Sequence, residues 1–125
     1  MVQKTQSIVL ALTLAAATAC ADVPPAQQAE VEHLIDYLEH STCVMLRNGT
    51  AYDASEGARH VRRKYAHFRD EIHTTEDFID RAATRSLVTG LAYRVRCPGQ
   101  PERPAADWLR DELAAYRGSE AVRDD

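Results

Sequence analysis

Cys43 and Cys97 constrain this chain more than any other two residues, because a covalent link between them would dictate which segments must meet. Whether they can link depends on what precedes them. Met1 to Thr5 carry one cationic side chain, Lys4, and Ile8 to Ala17 then run for 10 residues without a charge. A membrane span needs ~20 apolar residues, and this run has no polar face to make it an amphipathic core helix. A basic start, a short apolar run and small residues after it read as a secretory signal peptide over residues 1–21. Two cleavage points are open. Ala19-Cys20-Ala21 before Asp22 suits ordinary cleavage, which discards Cys20. Ala17-Thr18-Ala19 before Cys20 is similar to a bacterial lipobox, with Ala17 where leucine is usual. Cleavage there would leave Cys20 lipidated and the protein anchored in the outer membrane.

Ordinary cleavage leaves an even pair of cysteines in an oxidising compartment, so a Cys43–Cys97 disulfide is expected. The two residues are 54 apart, and they form neither a C-x-x-C redox motif nor half of a zinc site. The expected location is therefore the periplasm, with membrane attachment only if Cys20 carries lipid.

A chain of 125 residues has room for one domain, here residues 22–118, followed by a frayed tail over 119–125. Pro24 and Pro25 suit a helix start, and Val31, Leu34, Ile35 and Leu38 fall at i, i+3, i+4 and i+7 between Gln27 and Ser41. Asn48-Gly49 between two short apolar runs predicts a tight hairpin. Asp53, with Glu56 three residues on, caps a second helix whose apolar face runs Ala58, Val61, Tyr65, Phe68 and Ile72. Thr74 or Thr75 caps a third, with Glu76 and Asp77 in its first turn. Tyr93, Val95 and Cys97 alternate with Arg94 and Arg96, as in a strand with a buried cysteine. Pro104 opens a last helix that Gly118 can end. The order predicts an α+β fold: about four helices packed on a short three-stranded antiparallel sheet.

Several of these residues carry a likeness. Cys43-x3-Arg47-Asn48-Gly49-x2-Tyr52-Asp53, His60-x3-Lys64-Tyr65, Thr75-Glu76-Asp77-Phe78-Ile79 and Gly90-x2-Tyr93-x-Val95 stand in order between about Glu30 and Tyr116. In them the chain resembles the YfeK-like family of small exported bacterial proteins of unknown function. The resemblance implies export and the α+β fold, and it assigns no catalytic residue.

The chemistry-bearing residues are few. His33 and His40, like His60 and His67, are seven apart, ~10.5 Å along a helix and too far to share a metal; no metal site is expected. Ser41, Ser55 and Ser86 sit in no nucleophile motif, and no glycine-rich phosphate loop is present, so no cofactor is expected. Arg59, Arg62, Arg63, Arg69 and His73 fall opposite the apolar face of the second helix, with Asp70 interrupting them. They form either an anion-binding strip or a solvated face paired with carboxylates. His60 and Lys64, one turn apart at the edge of that face, join Arg47 and Asn48 of the hairpin tip and Arg59, Arg62 and Arg63 of the strip as the seven candidate binding residues.

The net charge of −4 argues against nucleic acid as a partner. The favoured expectation is a non-enzymatic binding or structural module for an envelope component: a protein, a glycan or an anionic lipid head group. The rival is a small cell-wall-directed hydrolase or transferase using His60 as base. These two are separable by whether the fold brings His60 to a carboxylate and a nucleophile.

Overall fold

A computed structural model of the protein describes residues 22–125. Residues 1–21, where the leader is expected, and with them Cys20, lie outside the described residues. The elements run α1 (Pro25–Glu39), β1 (Val44–Arg47), β2 (Thr50–Tyr52), α2 (Ala54–His67), a single 3-10 turn (Arg69–Glu71), α3 (Thr75–Ala82), β3 (Arg94–Arg96), β4 (Arg103–Pro104) and α4 (Ala105–Arg123). The α+β class stands, with four α-helices.

The sheet has four strands where three were expected, in the order β2-β1-β3-β4, and every pairing is antiparallel. The extra strand is Arg103–Pro104, paired Val95↔Arg103 and Arg94↔Pro104. The proline-rich stretch before it reads as a stop. Pro104 is nonetheless tolerated because β4 is an edge strand, where a missing N–H disturbs no inner ladder.

Local signals behave as the sequence implies. Asn48 (φ 52°) and Gly49 (φ 77°) both take positive φ, which a two-residue hairpin turn demands. The Asp53 carboxylate accepts from the Glu56 backbone N–H at 2.8 Å, and Thr74 Oγ1 accepts from the Asp77 N–H at 3.0 Å, capping α2 and α3. The α1 stripe is the buried face of that helix.

Two boundaries differ from expectation. α2 ends at His67, short of Ile72; the 3-10 turn follows, and Ile72 enters the core from extended backbone. α4 passes through Gly118, where the sequence suggested an end, and continues to Arg123. An exposed glycine costs a helix ~1 kcal/mol, which weakens it without stopping it. Arg123 also pairs with Glu120 at 2.6 Å in this last stretch.

One sheet face is buried and one is open. Met45 and Val95, register partners, are buried against α2 and α4, with α1 and α3 packed on those helices. Val44, Leu46 and Arg94 alternate onto the other side and are only partly covered. Gly57 permits the inner packing: a Cβ there would come within 2.6 Å of Met45 Cγ, so a side chain would force α2 off β1.

The register Val44↔Arg96 also sets Cys43 opposite Cys97, and the two are joined by a 2.02 Å S–S bond. Cys43 is buried, but Cys97 is only partly so, contrary to expectation, because it leads directly into the exposed turn at residues 98–100. No helix among the described residues is long and apolar enough to cross a membrane.

Candidate functional site

α2 and the β1–β2 hairpin meet above Gly57, and between them lies a cavity of about 260 Å³. Its floor is apolar, built from Leu38, Met45, Val61, Ala83, Ala105 and Leu109. Its polar wall contains Arg47, Arg59, Arg63, His60 and Tyr93, with Tyr52 beside Arg47. Four of the seven candidate residues line the cavity directly: Arg47, Arg59, His60 and Arg63.

The hydrogen bonds fix the protonation state of His60. Arg47 Nη1 lies 2.7 Å from His60 Nδ1, and a guanidinium can only donate, so Nδ1 must accept. The ring proton therefore sits on Nε2, 3.0 Å from the Tyr93 hydroxyl oxygen, to which it donates. Lys64 Nζ donates to the same oxygen at 3.2 Å and to the Arg85 carbonyl at 2.7 Å. His60 and Lys64 thus meet through Tyr93. Arg47 Nη2 donates to the Tyr52 hydroxyl at 3.2 Å, its guanidinium lying over the Tyr52 ring.

The electrostatics follow from this packing. Burial, and then the charges of Arg47, Lys64 and Arg63, push His60 from its ordinary 6.5 down to about 4. Burial, and then Arg47, hold the Lys64 amine below its usual range. Burial raises the Tyr93 phenol, with Arg47 opposing. Lys64 is 8% exposed, so the cationic edge of α2 read from the sequence is here a buried ammonium held by neutral oxygens.

The arginine strip divides in two. Arg62 reaches Glu32 and Glu39 at 3.4 Å and Asp36 at 3.8 Å on α1, and Arg69 reaches Asp22 at 3.7 Å; these are fold-bracing ion pairs. His73 lies beyond the end of α2 and does not continue the strip. Arg47, Arg59 and Arg63 take part in no ion pair with a carboxylate among the described residues, although Glu56 also lines the cavity. Asn48, the seventh candidate, belongs elsewhere: its amide donates to Ser86 Oγ at 3.3 Å and accepts from Thr89 Oγ1 at 2.5 Å, tying the hairpin turn to the 86–91 loop.

His60 meets a cation and a phenol, and neither ring nitrogen is hydrogen-bonded to a carboxylate or a serine. A general base of the triad type needs an acid behind it and a nucleophile ahead, and this arrangement supplies neither. Among the described residues no three His, Cys, Asp or Glu side chains gather to hold a metal. The arrangement can instead accept negative charge: three guanidiniums at the rim, a neutral imidazole and a phenol below them, and apolar carbon beneath.

Sequence reasoning missed Tyr52, Tyr93, Arg94 and the cavity floor as parts of a site. The alternation of the strand places Tyr93 on its inward face, but its oxygen meets His60 and Lys64 only because α2 delivers them from 33 and 29 residues away.

Loss of the His60 proton has a consequence for stability. Between about pH 6.5 and 4 the unfolded chain binds a proton that folded His60 refuses, so stability falls as pH drops through that window and levels off below it. Allowing for partial exposure of the ring, the loss is about 1–2 kcal/mol. Urea midpoints measured across this range should slope downward for the natural protein and run flatter for His60→Gln. Identical slopes would show that His60 is not held neutral.

Compared with known proteins, residues 25–117 match a family of unknown function, DUF5329. The uncharacterized protein YfeK of Salmonella typhimurium is 33% identical over 87 residues, covering 69% of this chain and 70% of that protein. No solved structure matches.

Proposed function

Since the chain belongs to the DUF5329 family of unknown function and is similar to the uncharacterized YfeK, we propose from its own geometry that it is an exported binding module for a small anion with an apolar body. The observation that carries this reading is the convergence of Arg47, Arg59 and Arg63, unpaired with carboxylates, on one apolar-floored cavity. Gathered cations repel one another, and an anion seated among them removes that repulsion while gaining charge-assisted hydrogen bonds. About 260 Å³ accommodates on the order of ten heavy atoms, enough for a phosphate or carboxylate head and a short carbon chain. Export is supported by the leader at residues 1–21 and is in keeping with a Cys43–Cys97 bond, since structural disulfides persist in oxidising compartments. The partner is then a component of the bacterial envelope, and the site binds it without transforming it.

The test is a titration followed by NMR shifts of the His60 ring and the Tyr93 amide. Hexyl phosphate should bind saturably and more tightly than inorganic phosphate, and hexanol should bind far more weakly. Arg59→Gln and Arg63→Gln should each weaken hexyl phosphate by about tenfold, the value of one exposed charge-assisted hydrogen bond. Equal binding of hexanol and hexyl phosphate, or no shift with either anion, would remove the reading.

A further inference from the structure

The loop after α3 carries three of the four large apolar side chains exposed among the described residues: Leu87 at 68%, Val88 at 92% and Leu91 at 57%. It is not a slack segment. Ser86 Oγ accepts from the backbone N–H groups of Val88 and Thr89 at 3.2 and 3.4 Å, and the Ser86 carbonyl accepts from Gly90 at 2.9 Å. Ser86 N–H donates to the Leu91 carbonyl at 3.0 Å, and Leu91 N–H donates to Thr89 Oγ1 at 3.2 Å. Asn48 then clamps Ser86 and Thr89 from the hairpin turn. The tip thus points apolar carbon outward while satisfying most of its own amide groups.

We propose that this tip docks on an anionic phospholipid surface, with Leu87, Val88 and Leu91 entering the boundary between headgroups and acyl chains. Backbone that leaves water must bring its hydrogen bonds with it; the N–H groups of Ser86 and of residues 88–91 already do so, and the carbonyls of residues 87–90 stay at headgroup depth, where water remains. A protruding tip whose N–H groups are mostly satisfied from within also suits a soft, flat interface, which offers no fixed acceptors to match.

The charge around it agrees in sign. Between Asp80 and Glu102 the chain holds Arg81, Arg85, Arg94 and Arg96 and no carboxylate, although the protein as a whole is at −4. Arg81 is paired with Glu71 at 3.9 Å. Leu91 lines a shallow cleft on the open side of the sheet together with Arg94, Arg96 and Glu102, and this one carboxylate lies 2.8 Å from Arg94 and 4.0 Å from Arg96. Arg85 is exposed at the base of the tip and takes part in no ion pair among the described residues, so positive charge stays in excess there. These arginines meet the headgroups as the apolar residues enter.

Val88→Trp in the full chain supplies a local reporter, since the protein's one tryptophan, Trp108, is buried. With vesicles of phosphatidylglycerol and phosphatidylethanolamine, its emission should shift blue and be quenched by brominated acyl chains. With phosphatidylcholine vesicles, or at high salt, it should do neither. Arg85→Gln and Arg96→Gln should each weaken the effect about fivefold. A reporter that stays in water on anionic vesicles, even if the chain sediments with them through another segment, would overturn the proposal. So would an equal response to neutral vesicles. A blue shift that grows with protein concentration in the absence of lipid would assign the tip to a second copy of the chain, and would overturn it as well.

Discussion

Reducing the Cys43–Cys97 bond, or replacing both cysteines with alanine, should lower the unfolding free energy by about 4 kcal/mol, within the ~2–5 kcal/mol usual for small exported domains. The size comes from the loop it closes. Fifty-four residues separate the two sulfurs, and a link over that distance withdraws many conformations from the unfolded chain. The bond also fastens the ends of β1 and β3, whose three-pair ladder is short. The native topology should survive its loss, because the buried sheet face carries Met45 and Val95, which are packed without the sulfurs taking part. Urea unfolding with and without reductant should show a large drop in midpoint with native circular dichroism retained before the transition. A drop of less than about 1 kcal/mol would mean that the unfolded chain is already compact around this link.

Phe78→Ala should be of comparable size, about 3–5 kcal/mol. Phe78 is 0% exposed, and its ring meets the Tyr65 ring edge-on with centroids 5.4 Å apart. It stands on α3, only eight residues long, which is held to the body by this contact, by buried Ile79 and Ala82, and by two bonds from its first residue to α1. So short a helix is not stable alone and takes its stability from packing. Against a typical domain stability of ~5–15 kcal/mol, this truncation should bring the midpoint close to native conditions. Phe78→Leu, which keeps most of the volume, should lose about 1–2 kcal/mol by the same denaturation measurement. If alanine and leucine behaved alike, the ring would not be a filled core position.

A second anchor is electrostatic. Arg117 of α4 donates to Glu30 of α1 at 2.6 and 3.0 Å and to Glu76 of α3 at 2.6 Å, joining three helices. Hydrogen bonds from Arg117 hold the Glu30 and Glu76 carboxyls below their ordinary range, so this contribution fades only as pH falls through the carboxylates themselves. It is therefore separable from the loss carried by His60, which begins at higher pH.

What could be read along the chain was whatever is decided within a few residues. The Val31–Leu38 stripe, the positive-φ Asn48-Gly49 turn and the caps of Asp53 and Thr74 are i to i+4 matters, and each took its expected form. Cysteine parity predicted a pairing across 54 residues because only one intramolecular partner remained once residues 1–21 were read as a leader. The misplaced ends have local causes too weak to read: Gly118 perturbs α4 without breaking it, and Arg103–Pro104 becomes a strand only because β3 offers it an edge.

The candidate site divides along the same line. Arg47, His60 and Lys64 stand out in the sequence, but their environments do not. Arg62 and Arg63 are adjacent residues of one helix, yet Arg62 falls against the carboxylates of α1 and Arg63 against a cavity without a partner. Which of two neighbouring arginines is neutralised depends on charges about 30 residues away, and Coulomb interactions at that separation exist only once the chain has folded. Residue types, turns and the covalent staple were therefore determined by the sequence itself. The tertiary packing alone decided which cations stay unpaired, which imidazole is held neutral and which side chains share a cavity.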